Sequence, residues 1–175
     1  GMVSIVSIDI FNGIVMLIAM ALTLPFAISA HGGYDAVITT IENTKPEYLS
    51  LFEGHDAWWI LGVILPTFLL LMSESSIYQK FASAKDSASA KKAVIGMLAG
   101  VVFIEFVMCA IAVVGFAIYS SDPRFFLEDG SINRAMSEEI ILRIGFEQVP
   151  TLVGSMLFAA GVAIILSTGN TFLMV

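Results

Sequence analysis

Two adjacent hydroxyl residues, Ser167 and Thr168, lie deep in the last apolar stretch of the chain, residues 150–175. That stretch is long enough to cross a bilayer as a helix, which takes about 20 residues. Two hydroxyls at this depth could line an ion site, because hard cations prefer oxygen ligands. Ser and Thr in membrane spans also commonly bond back to carbonyls of their own helix. Spacing alone leaves the ion site and the back-bonding open as alternatives.

Two carboxylates are further candidates for chemistry. Glu105 falls at the centre of an apolar run over residues 93–119, where a charge costs at least about 2.5–3.5 kcal/mol by insertion scales. We therefore expect it to face the interior of a helix bundle, either in a functional role or in a structural hydrogen bond between helices. Asp9 stands at the start of the first apolar run, as a solvated flank or as the mouth of a polar pathway.

Small residues recur every four positions along the last apolar stretch, at Ser155, Ala159, Ala163, Ser167 and Thr171. Residues four apart share one face of a helix. Small side chains on such a face let another helix backbone approach closely. We therefore expect this face to pack against other helices.

The composition indicates an integral membrane protein. The chain has 175 residues, of which 58% are hydrophobic, and a mean hydropathy of +0.92, whereas soluble domains are typically about 45–50% apolar. No basic cluster indicates nucleic acid binding. The single cysteine, Cys109, excludes a disulfide within the chain. His31 and His55 have no third ligand at metal spacing, so we expect both to be surface histidines rather than metal ligands, and no metal site other than one for sodium.

The apolar runs predict an all-α, multi-pass membrane helix bundle with spans at about residues 8–30, 57–78, 93–119 and 150–175. The connector over residues 79–92 carries four lysines against one aspartate, and short basic connectors stay in the cytoplasm. We therefore expect this connector and the N-terminus to be cytoplasmic. The connectors over residues 34–56 and 120–149 are then outside. The last run ends without a polar flank, which indicates an internal part of a longer membrane protein.

Local signals predict where some elements begin and end. Gly32 and Gly33 are expected to end the first span, and a short interfacial helix is expected after them. Pro66 lies near the middle of the second apolar run, either as an ordinary proline kink or at a break whose freed backbone groups bind an ion or solute. Ser137, followed by two glutamates, predicts the N-cap of an amphipathic helix that Gly145 would end.

Four pieces of the chain, in order, resemble motifs of the sodium/solute symporter family. The family's TD-x-x-Q motif resembles residues 7–13, where Asp9 is kept, and the segment after it resembles residues 31–37. Its QR-x-x-x-AKD…AR connector is similar to residues 78–93, and its MST signature resembles LSTGN at residues 166–170. The resemblance covers essentially the whole chain. It implies core helices five to eight of a leucine-transporter-like inverted-repeat fold.

The resemblance also implies a function. Family members are secondary active transporters that couple inward sodium flow to the import of a small organic solute by alternating access. Sodium is then expected at the hydroxyls of Ser167 and Thr168 and at the carbonyl of Ile164. Asp9 would lie along the exit path of the ion to the cytoplasm. Family members are located in the plasma or inner membrane. The partners expected for this chain are therefore the lipid bilayer and the remaining helices of the full-length chain.

The resemblance also implies which residues contact the substrate, and these residues lie on the second span. The corresponding positions for substrate contact or gating are Thr67, Leu70 and Ser73. Leu70 stands where sugar transporters of the family carry an aromatic residue, which argues against a sugar. A symporter-like membrane sensor domain of a signalling kinase is the alternative function. An enzyme is not expected, because the spans contain no catalytic constellation, and Glu105 has no general family role.

Overall fold

The computed structural model describes residues 2–50, 55–73, 78, 82 and 84–172. Within this part the regular structure is helical, apart from one isolated bridge between Phe126 and Ile132, so the all-α prediction is confirmed. A 3-10 helix at Pro46–Leu49 follows the second helix. The α-helices are α1 (Met2–Ala30), α2 (Tyr34–Thr44), α3 (Ala57–Ser73), α4 (Ser87–Tyr119), α5 (Arg134–Glu138), α6 (Ile140–Glu147) and α7 (Thr151–Phe172).

Two segments of the described chain are long and apolar enough to cross a membrane, judged by length and composition. They are Ile10–Ala30 in α1 and Ser87–Tyr119 in α4. The apolar segments of α3 and α7 are shorter, at Ala57–Leu70 and Thr151–Leu166. The arrangement as four spans with two outer connectors stays a prediction.

The ends of the long helices follow from local chemistry. Gly32 and Gly33 have φ of 94° and 101°, a region that L side chains rarely adopt. The Gly33 N–H donates to the Ile28 carbonyl at 2.9 Å, which satisfies the end of α1 and turns the chain into α2. At the start of α4 the Asp86 carboxylate accepts from the Ser89 N–H at 2.7 Å. This bond holds the pKa of Asp86 below its usual value.

The core lies at one end of a bundle formed by α1, α4 and α7. Its buried residues come from the C-terminal halves of α1 and α4 and from the N-terminal half of α7, and α2, α5 and α6 add buried side chains around them. At the other end the same three helices are open. Residues 87–106 of α4 and residues 161–166 of α7 are all exposed or half-buried.

Small residues on α1 allow close packing in this core. Ala19, Thr23 and Ala27 are four apart and fully buried, so they form one continuous stripe. The Thr23 hydroxyl donates to the Ala19 carbonyl at 2.8 Å. Because its own helix satisfies this hydroxyl, its burial does not leave an unpaired polar group.

Glycines set the distance between the last helices. An added Cβ on Gly154 of α7 would collide with the carbonyl oxygen of Gly145 and lie 3.1 Å from its carbonyl carbon. An added Cβ on Gly115 of α4 would lie 2.8 Å from Cγ1 of Ile140 and 2.9 Å from Cδ1 of Ile144. Helix α6 therefore fits between α4 and α7 only because glycines face it on both sides.

An aromatic cluster joins the end of α4 to both long connectors. Phe116 lies at its centre, with ring centroids 4.9 Å from Tyr48, 5.9 Å from Phe125 and 6.4 Å from Phe126. All three contacts are edge-to-face, the geometry that the ring quadrupoles favour. Phe125 is only 2% exposed, so this ring anchors the connector over residues 120–133 to the core.

Two local predictions were settled by the structure. Ser137 is not an N-cap: its hydroxyl donates to the Arg134 carbonyl at 2.9 Å, so that prediction was wrong. Asn133 caps the separate short helix α5, accepting from the Ala135 N–H at 3.2 Å, whereas α6 follows Glu139 without a side-chain cap and ends at Glu147 rather than Gly145. Helix α3 continues through Pro66, so the break near its middle is absent.

Candidate functional site

The candidate ion residues lie near the C-terminal end of α7. Helix α7 continues to Phe172, so the backbone at Ser167 and Thr168 is helical and follows Ile164 by one turn. The Ile164 side chain is 49% exposed. The side chains of Ser167 and Thr168 lie outside the described part of the structure. Their role as sodium ligands therefore stays a prediction.

Helices α1 and α7 bring the two ends of the predicted ion path to the same end of the bundle. The buried part of α1 is near its C-terminus, and the buried part of α7 is near its N-terminus. Since both parts pack in one core, the helices run in opposite directions. The backbone of Asp9 in α1 and that of Ile164 in α7 therefore lie on the open side of this core. The Asp9 side chain is outside the described residues.

The predicted substrate residues lie on a separate element. Every residue of α3 whose exposure is described is exposed, except half-buried Ile60. The Thr67 hydroxyl donates to the Val63 carbonyl at 3.0 Å, and the Ser73 hydroxyl donates to the Leu70 carbonyl at 2.8 Å. Leu70 itself is 70% exposed. The described contacts do not bring these three residues to the end of α7.

Glu105 points away from the described bundle. Val107, Ile111 and Val114 form the buried face of α4, and Glu105 is about 160° around the helix from Val107 at 100° per residue. Its side chain is exposed. The sequence predicts that Glu105 faces the interior of a helix bundle. The described helices do not surround its side chain.

The comparison with protein families decides which proteins this chain is related to. The model of the sodium:solute symporter family matches residues 1–175. The chain belongs to the sodium:solute symporter family. No curated protein and no solved structure matches it significantly. The resemblance drawn from the four motifs is thereby confirmed.

Membership in the sodium:solute symporter family carries general consequences. The family consists of integral membrane transporters rather than enzymes, and two apolar helices long enough to span a membrane fit that class. The family implies sodium as the coupling ion and a small solute as the substrate. Sodium-coupled solute transport is therefore the activity that membership suggests for this chain.

The chain also contains a polar network that the sequence did not predict. The Tyr119 hydroxyl at the end of α4 donates to Glu147 Oε2 on α6 at 2.8 Å. Arg143 Nη1 lies 3.7 Å from Glu147 Oε1 and its Nε lies 3.4 Å from Glu139 Oε2. The Tyr119 bond joins α4 to α6 across 28 residues of sequence, and the two Arg143 contacts are pairs four residues apart along α6 and its N-cap. No periodicity or motif indicates a pair so far apart.

A second missed contact fixes the turn between α1 and α2. His31 Nε2 lies 3.1 Å from the Thr40 hydroxyl oxygen, and that hydroxyl donates its proton to the Ala36 carbonyl at 2.9 Å. Since Thr40 has one proton to donate, His31 Nε2 must be the donor in their bond. The sequence marks His31 only as a surface histidine.

Proposed function

We propose that this chain forms part of a secondary active transporter that couples inward sodium flow to the import of a small organic solute by alternating access. The observation that carries the proposal is the family match over residues 1–175. In this proposal α1, α3, α4 and α7 are core helices five to eight of a leucine-transporter-like inverted-repeat fold.

The proposed ion site uses one turn of α7. Ile164, Ser167 and Thr168 are at positions i, i+3 and i+4, which share one helix face. A backbone carbonyl has two lone pairs, so the Ile164 carbonyl can keep its helix bond and still contact an ion. Hydroxyl and carbonyl oxygens suit sodium as a hard cation. Without a fixed negative charge the site binds weakly enough to release the ion.

The proposed exit path runs along the open end of the bundle. α1 and α7 run in opposite directions, and no residue with described exposure between 7 and 18 is buried. Asp9 lies in that segment. A carboxylate there attracts a cation leaving the turn at Ile164, and the exposed helix surfaces leave room for water around it.

The proposed gate on α3 presents oxygen lone pairs to the solute. Thr67 and Ser73 each give their hydroxyl proton to a carbonyl of α3. A hydroxyl that has donated its proton still accepts hydrogen bonds. The gate therefore favours a solute with N–H or O–H donors, and Leu70 between them supplies an apolar contact.

Sodium would act by shifting a conformational equilibrium. An ion that binds better to one state of a protein raises the population of that state in proportion to the difference in affinity. Sodium bound at α7 would favour the outward-open state, and its release inside would favour the inward-open state. Solute bound at α3 would be carried through the same change.

The test is sodium-dependent uptake of a solute panel by vesicles that carry the full-length protein. We expect Ser167→Ala and Thr168→Ala each to raise the sodium concentration for half-maximal uptake by at least about tenfold, because a bond to a charged group is worth about 1.5–3 kcal/mol. Thr44→Ala removes an exposed hydroxyl that also bonds back to its helix, and serves as the matched control. Unchanged sodium dependence in both α7 variants would reject the site.

A further inference from the structure

A group of lysines lies at the start of α4. Lys91 and Lys92 are in its first two turns, and Lys85 comes just before its N-cap, Asp86. All three lysine side chains are exposed, and together they are called the lysine surface below. They belong to the connector over residues 79–92, which holds four of the eight Lys and Arg residues of the chain and one acidic residue.

The charge of the lysine surface is not neutralised within the described part of the chain. The neighbouring carboxylate of Asp86 accepts a hydrogen bond from the Ser89 N–H at 2.7 Å, so it caps α4 instead. No carboxylate among the described residues forms an ion pair with any of the three lysines. By contrast, Lys45 Nζ lies 3.4 Å from Glu47 Oε1. The lysine surface therefore keeps its positive charge for a partner outside these residues.

The length of α4 places the lysine surface at the level of lipid headgroups. Lys92 precedes Tyr119 by 27 residues, which is about 40 Å along an α-helix. A bilayer is about 40–45 Å thick with its headgroup layers, around a hydrocarbon core of about 30 Å. The Tyr119 hydroxyl is in a polar network, because it donates to Glu147 Oε2 at 2.8 Å. When Tyr119 lies in the headgroup layer on one side of a membrane, Lys92 therefore lies in the headgroup layer on the other.

The surface of α4 next to the lysines is apolar and exposed. Ile95 and Leu98 follow Lys91 by four and seven residues, so the three side chains share one side of the helix. Ile95 is 65% exposed and Leu98 is 55% exposed. This side faces away from the bundle, because Lys91 is about 160° around the helix from buried Val107 at 100° per residue. A cationic group beside exposed apolar side chains matches a molecule that has an anionic head and an apolar chain.

We propose that the lysine surface binds the headgroup of an anionic phospholipid, whose acyl chain lies along Ile95 and Leu98. The lipid phosphate carries the negative charge that the three ammonium groups attract. Each lysine near an anionic membrane surface contributes about fivefold in affinity, which is about 1 kcal/mol. The sequence predicts that this connector is cytoplasmic, and the cytoplasmic leaflet is the one that carries anionic lipids.

The depth of the lysine surface favours a lipid over a soluble partner. Three ammonium groups also attract an acidic protein or a free phosphate ion, but neither has an acyl chain to cover Ile95 and Leu98. The proposal requires that α4 spans a membrane, and it does not depend on the sodium site or on transport. Failure of the sodium-dependent uptake test would therefore leave the lipid site unchanged.

The test uses two photoreactive lipids in vesicles that carry the purified full-length protein. One is anionic phosphatidylglycerol and the other is zwitterionic phosphatidylcholine, and each has a diazirine near its headgroup. After photolysis with a limiting amount of probe, the labelled peptides are identified by mass spectrometry. We expect phosphatidylglycerol to label the peptide over residues 84–98 at least about tenfold more than phosphatidylcholine does, because only the former has a net negative charge.

Variants of the lysines measure what the charges contribute. Lys91→Gln combined with Lys92→Gln should lower labelling by phosphatidylglycerol by about 25-fold, which is about fivefold for each charge. Lys91→Arg combined with Lys92→Arg keeps both charges and should retain the labelling. Lys45→Gln is the control, because that lysine is already paired with Glu47, and it should leave the labelling unchanged. In the wild type, 0.5 M potassium chloride should lower the labelling because salt screens the attraction, and this arm needs no variant to fold.

Four results would overturn the proposal. Equal labelling by the two lipids, or labelling that survives both the double Gln variant and high salt, would remove the role of charge. Loss of labelling in potassium phosphate, but not in potassium chloride of the same ionic strength, would assign the lysines to free phosphate. Absence of labelling over residues 84–98 in vesicles of the purified protein would leave the lysines to a soluble partner such as an acidic protein.

Discussion

The contact between Gly154 and Gly145 gives a sharp test of how α6 and α7 pack. Gly154→Ala adds one methyl group to α7. That methyl group would collide with the Gly145 carbonyl oxygen and would lie 3.1 Å from its carbon and 3.7 Å from its Cα. All three atoms belong to the backbone, so no side-chain rotation relieves the collision. Helix α6 has to move away from α7.

The size of the effect follows from a comparison of two glycines in α7. Gly161 is in the same helix, and an added Cβ there meets nothing within 4 Å. Both Gly→Ala changes gain about the same helix propensity, up to about 1 kcal/mol, so their difference isolates the collision. Overpacking in a tight core costs about 1–3 kcal/mol. We expect Gly154→Ala to be less stable than Gly161→Ala by about 2 kcal/mol.

The assay is thermal unfolding in detergent, followed by loss of the monodisperse peak in size-exclusion chromatography after heating. A difference of about 2 kcal/mol corresponds to about 4–8 °C in Tm for a chain of this length. We expect Gly161→Ala to melt at or slightly above the wild-type temperature. Equal Tm values for the two variants would refute the close approach of α6 to α7.

Two further predictions concern the connector after α4. Phe125→Ala should lower the free energy of unfolding by about 3–5 kcal/mol because its ring is buried in the aromatic cluster. Leu127→Ala, at a side chain that is 50% exposed, serves as the control and should change Tm by less than about 2 °C. Equal losses of stability in the two variants would contradict the role of Phe125 in anchoring the connector. Hydrogen bonds from Arg124 lower the pKa of Asp122 from 3.8 to about 2. The pair therefore stabilises the fold above about pH 4, and this contribution is lost as the pH falls to about 2. As the pH is lowered across this range, Tm should fall more for the wild type than for Asp122→Asn. If Tm falls equally in both proteins, the ion pair of Asp122 and Arg124 does not stabilise the fold.

The helices could be predicted from the sequence because their signals are local. Long apolar runs mark α1 and α4, and Gly32 and Gly33 end α1 where expected because the turn needs positive φ. Local signals failed at the start of the amphipathic helix. Ser137 was expected to cap the amphipathic helix, but Asn133 starts a separate short helix, α5, that already includes Ser137, and α6 follows Glu139 without a side-chain cap.

The packing could not be predicted from the sequence, because it depends on residues far apart in the chain. Phe116 meets Tyr48 of one connector and Phe125 of the other, and Tyr119 bonds to Glu147. The sequence marked Thr67 and Ser73 only through a family resemblance. It could not show that both hydroxyls are already bonded to the carbonyls of α3.

The candidate ion site depended on the family rather than on spacing. Adjacent Ser167 and Thr168 near the end of a span are equally compatible with back-bonding in their own helix. Ile164 has no polar side chain, so only a family pattern points to its carbonyl. The fold adds that α1 and α7 bring Asp9 and this turn to the same open end of the bundle.

The central claim is that this chain is part of a transporter in which an inward sodium gradient drives the import of a solute. The most direct measurement is solute accumulation in vesicles that contain the full-length protein, with an inward sodium gradient imposed at constant membrane potential. We predict accumulation above the external concentration, and its collapse when a sodium ionophore removes the gradient. Uptake that is the same with and without the sodium gradient would contradict the claim.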